Sequence, residues 1–210
     1  MRIIIISILV SGSIFAQGFL HNMDGEVVDG NGEPILLRGF GLGGWLVPEG
    51  YMLHNQAWIE GFESPTDIEN HVIDLIGLDE ANDFWELYRA NYVAQADIDK
   101  IAEWGFNHIR VPFHYKQFYD STGTETPIGY AIVDELITWC QPHNIYIILD
   151  MHCAPGAQNG GPISDSDGIA RLWLEDSYKE LTIQIWKEIA TYYADHTLIA
   201  GYDLINEPVL

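Results

Sequence analysis

The amino-acid sequence predicts an α/β fold built from parallel βα units, on three observations. Short β-type runs alternate with amphipathic helical patterns through most of the chain. The run Ile145–Asp150 is apolar on successive residues, which is typical of a strand covered on both faces. No linker-like or low-complexity segment divides the 210 residues. Four predicted strands fit either a small open sheet or part of a (β/α)₈ barrel, which takes about 250 residues.

The predicted elements follow from local signals in chain order. Gly30-Asn31-Gly32 is a strong turn signal and predicts a hairpin between Glu26–Asp29 and Ile35–Phe40. Apolar residues then recur at helical spacing, and Gly105 ends one such stretch. Strands are expected at 35–40, 107–113, 145–150 and 198–205, with helices at 66–77, 80–89, 94–102, 130–140 and 178–192.

Residues 1–16 are expected to form a secretory signal peptide. Arg2 supplies a positive charge, Ile3–Val10 is almost continuously aliphatic, and small residues close the segment at Ala16. The apolar run is shorter than the roughly 20 residues that span a bilayer, and a buried first strand is the alternative interpretation. Cleavage would leave a soluble protein, extracellular or periplasmic, with an N-terminal hairpin region at 17–34 and a domain at 35–210.

Charge and cysteine content exclude several classes of protein. The chain carries 9 Lys and Arg against 31 Asp and Glu, a net charge of −22. Such an acidic protein repels phosphate backbones and anionic lipids, so we expect neither nucleic acid nor membrane as a partner. Cys140 and Cys153 flank a predicted strand that separates them by about 20 Å. A disulfide needs Cα atoms within about 7 Å, so two free, buried thiols are expected.

Polar side chains stand at the carboxyl ends of three predicted strands, where parallel sheets place their reactive groups. They are Arg110, then Asp150 and His152, then Asn206 and Glu207. An unpaired charge is costly inside a strand, so their convergence on one rim indicates a site. Pro208 restricts the residue before it to extended backbone, which would hold Glu207 at the strand tip.

Each of these residues also has a structural interpretation. Glu207 could be an exposed loop glutamate, Arg110 an ion-pair partner, and His152 an ordinary loop histidine. Asp150 and His152 suggest a metal pair, but no third ligand stands at a recognisable spacing, so no metal is expected. The sequence contains no phosphate-binding loop, dinucleotide glycine fingerprint or nucleophile elbow, so no cofactor is expected either.

Four stretches together resemble glycoside hydrolase family 5, most closely its cellulase and exo-β-1,3-glucanase members. They are RGFGLGGWL at 38–46, GFNHIRVPF at 105–113, IYIILDMHCAPGAQNG at 145–160 and IAGYDLINEP at 199–208. The resemblance covers about 35–210 and implies a (β/α)₈ barrel, here its first four βα units. It further implies a retaining hydrolase of O-glycosidic bonds that acts on a β-glucan or an oligosaccharide.

The resemblance also implies roles for individual residues. Glu207 matches the general acid/base, and Asn206 the residue that bonds the 2-hydroxyl of the cleaved sugar. Arg110 matches the arginine that braces the catalytic carboxylates, and His152 the histidine lining the same subsite. The indoles of Trp45, Trp58 and Trp173 are candidates for stacking on sugar rings, with packing as the alternative.

One departure from the family pattern concerns the nucleophile. The family's nucleophilic glutamate follows the seventh strand, and Glu49, Glu60 and Glu63 match nothing in its motif. We therefore expect the catalytic domain at 35–210 to be truncated at its C-terminus and the chain alone to be inactive. A non-catalytic carbohydrate-binding protein with a degenerate cleft is the main alternative, and a metal-dependent hydrolase is a third.

Overall fold

The computed structural model of the protein describes residues 18–53, 62–120 and 122–209. Strands β1 (His21–Met23) and β2 (Glu26–Val28) form a small antiparallel pair. Strands β3 (Gly39–Gly41), β4 (His108–His114), β5 (Tyr146–Cys153) and β6 (Ile199–Asp203) form a parallel sheet in chain order. The four predicted strands and their parallel arrangement are confirmed. The predicted signal peptide lies outside the described residues.

Helices connect the strands of the parallel sheet, as the alternation predicts. The five predicted helices are confirmed, with ends that differ by a few residues, and two short helices were not predicted. The helices are α1 (Gly50–Leu53), α2 (Pro65–Ile76), α3 (Leu78–Tyr92), α4 (Gln95–Glu103), α5 (Ile128–Cys140), α6 (Arg171–Leu174) and α7 (Asp176–Tyr192). None of the described helices is long and apolar enough to cross a bilayer.

The amino-terminal hairpin is arranged differently from the prediction. Its turn is Asp24-Gly25, with φ values of +54° and +91° that suit a tight connection. The predicted turn at 30–32 is also present, because Val28 bridges to Pro34 and the Ile35 amide donates to Val27. The expected second arm is divided, since residues 39–41 leave the hairpin and pair with β4 instead.

Alternation along β4 and β5 gives the sheet one apolar and one polar face. Ile109, Val111 and Phe113 alternate with Arg110, while Ile147, Leu149 and Met151 alternate with Asp150 and His152. The apolar set is at most 1% exposed and packs against the apolar positions of α5 and α7. Because successive strand residues point to opposite faces, burial of this set places the polar side chains on the other face.

Both cysteines are free and buried, as predicted. Burial raises the pKa of the Cys140 thiol to about 12 and that of Cys153 well above its usual value. Each sulfur is therefore a thiol at neutral pH and packs as a small apolar group.

The Asp165 carboxylate joins three separate segments of the chain. It accepts hydrogen bonds from the Thr66 amide at 2.8 Å and hydroxyl at 2.7 Å, from His114 Nε2 at 2.9 Å and from Lys116 Nζ at 3.2 Å. Burial raises the pKa of Asp165, but His114, Lys116 and Thr66 outweigh it and hold that pKa well below its usual range. The start of α2, the end of β4 and the loop after β5 are therefore held together by one ionised side chain.

The start of α2 provides a test of local stability. Ser64 Oγ accepts from the Asp67 amide at 3.1 Å, and Asp67 Oδ2 accepts from the Ser64 amide at 3.2 Å. Removing this capping box with Ser64→Ala should lower the free energy of unfolding by about 1 kcal/mol, whereas Ser64→Asp should largely preserve it. Urea unfolding measures the free energy of unfolding of both variants, with Ser177→Ala, at an exposed position of α7, as control. Equal values for Ser64→Ala and Ser177→Ala would contradict the capping role.

Candidate active site

Arg110 lies inside β4 (His108–His114) rather than at its predicted carboxyl end, at the centre of a polar cluster that extends to the carboxyl ends of β5 and β6. Its Nε and Nη2 donate to Asp203 Oδ2 at 3.1 and 2.9 Å. Nη2 also donates to Asn206 Oδ1 at 2.9 Å and lies 3.0 Å from Asp150 Oδ2. Asp150 is fully buried, so the guanidinium supplies the opposite charge that a buried carboxylate requires.

His152 connects this cluster to Glu49, in the segment between β3 and α1. Its Nδ1 lies 2.7 Å from Asp150 Oδ2, and its Nε2 lies 3.7 Å from Glu49 Oε1 and 3.3 Å from Asn206 Nδ2. Burial lowers the pKa of His152, but the carboxylates of Asp150 and Glu49 outweigh it and raise that pKa to about 9. The imidazole is therefore cationic at neutral pH and sits between two acids.

Glu49 and Asp203 belong to the cluster although the sequence analysis did not select them. Glu49 is only 3% exposed, and its Oε1 finds no hydrogen-bond partner within the described residues. Such an oxygen is available to accept from a ligand hydroxyl. Glu49 lies eight residues after β3 ends at Gly41, so the strand-end rule does not indicate it. A charged residue inside the fourth predicted strand would have indicated Asp203.

Glu207 directly follows Asn206 and is exposed. Burial, then Glu49, and least of all the charge of Glu207 raise the pKa of Tyr51. The predicted extended backbone is wrong, because Glu207 has a φ of +43°. The physical reason is hydrogen bonding with the distant loop after β5. Asn159 Nδ2 donates to the Glu207 carbonyl at 2.9 Å, and the Val209 amide donates to the Gln158 carbonyl at 3.1 Å.

The three tryptophans proposed for sugar stacking are placed differently from one another. Trp45 is 2% exposed and donates from Nε1 to the Arg89 carbonyl at 2.7 Å, so it presents no ring face to a ligand and packs in the core. Trp173 is partly buried and donates to the Gln158 carbonyl at 2.8 Å. Trp58 lies outside the described residues. The burial of Trp45 therefore does not support stacking of its indole on a sugar ring.

The cluster presents both hydrogen-bond donors and acceptors. Arg110 engages Asn206 Oδ1, and the Nδ2 of that amide lies 3.3 Å from His152 Nε2. Glu49 supplies a buried acceptor within 4 Å of His152. Across 18–53, 62–120 and 122–209, no group of three or more His, Cys, Asp or Glu side chains is suited to hold a metal ion.

Comparison with protein families identifies one match. Residues 66–210 match the Cellulase family, glycosyl hydrolase family 5. This range contains Arg110, His152, Asn206 and Glu207. It begins after Glu49.

Relatives and solved structures agree with that match. A β-xylosidase of Phanerodontia chrysosporium is 34% identical over 87% of this chain and 38% of its own length. A glucan 1,3-β-glucosidase of Lachancea kluyveri is 30% identical over 83% of this chain and 42% of its own. The crystal structure of rutinosidase from Aspergillus niger superimposes with a TM-score of 0.69 at 22% identity, over 82% of this chain and 49% of that one. The chain thus has the fold of part of a (β/α)₈ barrel. It spans less than half the length of each of these proteins.

The protonation of His152 should appear in the pH dependence of stability. Because its pKa is raised from 6.5 to about 9, the stabilising contribution is complete below the lower value and is lost as the pH rises through the higher one. We expect His152→Gln to lower the free energy of unfolding by roughly 3 kcal/mol below pH 6.5 and by little above pH 9. Urea unfolding measures this difference, with exposed His21→Gln as control. The same loss in both pH ranges would exclude the cationic imidazole.

Proposed function

The chain belongs to glycosyl hydrolase family 5, and on that premise we propose that it carries the acid/base half of a retaining β-glucan hydrolase. Glu207 is the general acid/base in this proposal. The observation that carries it is that this exposed residue directly follows Asn206, whose side-chain amide is fixed by Arg110 at 2.9 Å. The same proposal includes export from the cell, on the amino-terminal sequence pattern.

The retaining mechanism assigns a role to each residue in this proposal. Retention requires two carboxyl groups about 5–5.5 Å apart, one that protonates the leaving oxygen and one that attacks the anomeric carbon. Glu207 is exposed and can reach a leaving group. Asn206 Nδ2 can donate to a sugar hydroxyl, and the buried Glu49 can accept from another. The nucleophile is not assigned to any residue of this chain.

The net charge of the chain and the names of its relatives support a neutral, β-linked substrate. The net charge of −22 disfavours anionic polysaccharides. The two relatives are described as a β-xylosidase and a glucan 1,3-β-glucosidase, whose names both specify β-linked sugars. A β-glucan or its oligosaccharides is therefore the proposed substrate.

A non-catalytic carbohydrate-binding protein is the second candidate. The observation that favours it is the buried Glu49 Oε1, an acceptor without a partner among the described residues, which can hold a sugar hydroxyl whether or not a bond is cleaved. Binding of a β-glucan without any cleavage by the full-length product of the gene would support this candidate over the first.

The role of Glu207 can be tested by substitution in the full-length product of the gene. Glu207→Gln removes the proton donor but keeps the shape, so kcat on a β-glucan should fall by about 10³-fold. Released reducing sugar measures the rate. Glu180→Gln, at an exposed position of α7, should leave the rate unchanged. Full activity of Glu207→Gln would exclude Glu207 as the acid/base.

Residues 17–210 alone are expected to hydrolyse no β-glucan and to form oligomers. The side chains of Ile183 on α7 and Leu204 after β6 are 53% and 59% exposed, beside a cavity of about 410 Å³ that is almost entirely apolar. Exposed apolar surface of this kind favours association. Size-exclusion chromatography and a reducing-sugar assay test both parts. A monomeric, active preparation would refute them.

A further inference from the structure

The segment that carries Asn206 and Glu207 is held by the last residues of β5 and by the loop after it, beyond the regular strand pairing. Regular pairing of β5 with β6 ends at Asp150 and Asp203. Beyond it, the Asn206 amide donates to the Met151 carbonyl at 3.1 Å, and the Val209 amide donates to the Gln158 carbonyl at 3.1 Å. Two backbone bonds therefore fix the start and the end of this segment.

The Gln158 side chain joins the two strand ends. It is 0% exposed, and its Nε2 donates to the His152 carbonyl at 2.7 Å and to the Asn206 carbonyl at 2.9 Å. Its Oε1 accepts from the Ala154 amide at 3.1 Å. Since both amide hydrogens and the oxygen are occupied, the group is fixed in one orientation.

The Asn159 side chain performs the same task one residue further along. It is 7% exposed, and its Nδ2 donates to the Glu207 carbonyl at 2.9 Å. Its Oδ1 accepts from the Gly161 amide at 2.8 Å. Consecutive side chains therefore hold the carbonyls of consecutive residues, Asn206 and Glu207.

The backbone of Glu207 needs such support. A φ of +43° places it in the left-handed region, which is unfavourable for a residue that carries a side chain. A strained conformation persists only where the surroundings determine it. The conformation also sets the direction in which the carboxyl leaves the backbone.

We propose that Gln158 and Asn159 are positioning residues that set the backbone of Asn206 and Glu207 and thereby aim the Glu207 carboxyl at the leaving oxygen. This inference rests on the proposed function, because it assumes that Glu207 donates the proton. Neither amide touches the substrate in this proposal. Their effect passes through the two carbonyls that they bind.

The test uses isosteric variants in the full-length product of the gene. Asn159→Asp replaces the donor to Glu207 with an oxygen that repels the carbonyl, while the Gly161 amide keeps its acceptor. Gln158→Glu does the same at a fully buried position and is more prone to misfold, so Asn159→Asp is the primary variant. Asn91→Asp is the matched control, because Asn91 Nδ2 also donates to a backbone carbonyl, that of Leu87 at 2.7 Å, on exposed α3.

The kinetic readout separates positioning of the acid from loss of structure. A β-glucoside with a dinitrophenol leaving group needs little protonation, whereas a β-glucan needs it fully. For Asn159→Asp we expect kcat/KM on the β-glucan to fall by about 10²-fold, as for misplacement by about 1 Å. On the aryl glucoside kcat/KM should stay nearly unchanged, because it reports only the step that expels the leaving group and not the later step in which Glu207 acts as base. Asn91→Asp should match the unsubstituted protein on both substrates. Equal losses on both substrates, or no loss, would overturn the proposal.

A spectroscopic measurement keeps the two proposals distinguishable. The three-bond HN–Hα coupling of Glu207 reports its φ and should change in Asn159→Asp but not in Asn91→Asp. If the unsubstituted protein cleaves neither substrate, the proposed function fails, while the coupling still decides whether Asn159 sets the Glu207 backbone. An unchanged coupling in Asn159→Asp would overturn the positioning role by itself.

Discussion

The guanidinium of Arg110 is the interaction on which the rest of the site depends. It lies within 3.1 Å of oxygens from Asp150, Asp203 and Asn206, which come from two neighbouring strand ends. Without it, a fully buried carboxylate would lose its cation, and the Asn206 amide would lose the bond that fixes its orientation. One side chain therefore both compensates a buried charge and fixes the orientation of the Asn206 amide.

Two features of the fold position the site: the alternation of side chains along the strands and the side-chain amides of the loop after β5. The strands of the sheet deliver Arg110, Asp150 and His152 to one face because their neighbours are buried on the other. The loop after β5 then supplies the amides that hold the segment following β6. Rigid strands thus place the charged groups, while side-chain amides shape the backbone where regular pairing stops.

The sequence was sufficient to predict the sheet and part of the site, and the limits have physical causes. Arg110, His152 and Asn206 follow from the strand-end rule, which needs only strand positions. Glu49 follows a strand of three residues, too short to give a strong signal. The left-handed Glu207 depends on Asn159, 48 residues earlier in the chain, and local rules for the residue before proline do not include such contacts. Trp45 is buried by α3, whose packing against it was not predictable from spacing.

The order of the parallel strands has a consequence for synthesis. Because β3, β4, β5 and β6 are neighbours in the same order in which they occur in the chain, each strand emerging from the ribosome finds its partner already made. Each pairing nevertheless joins residues tens of positions apart, and such non-local contacts make the folding of a parallel sheet comparatively slow. The polar cluster is completed only when Asn206 leaves the exit tunnel. The residues of the Asp150–Arg110 pair are therefore synthesised before the Asn206 amide that joins them.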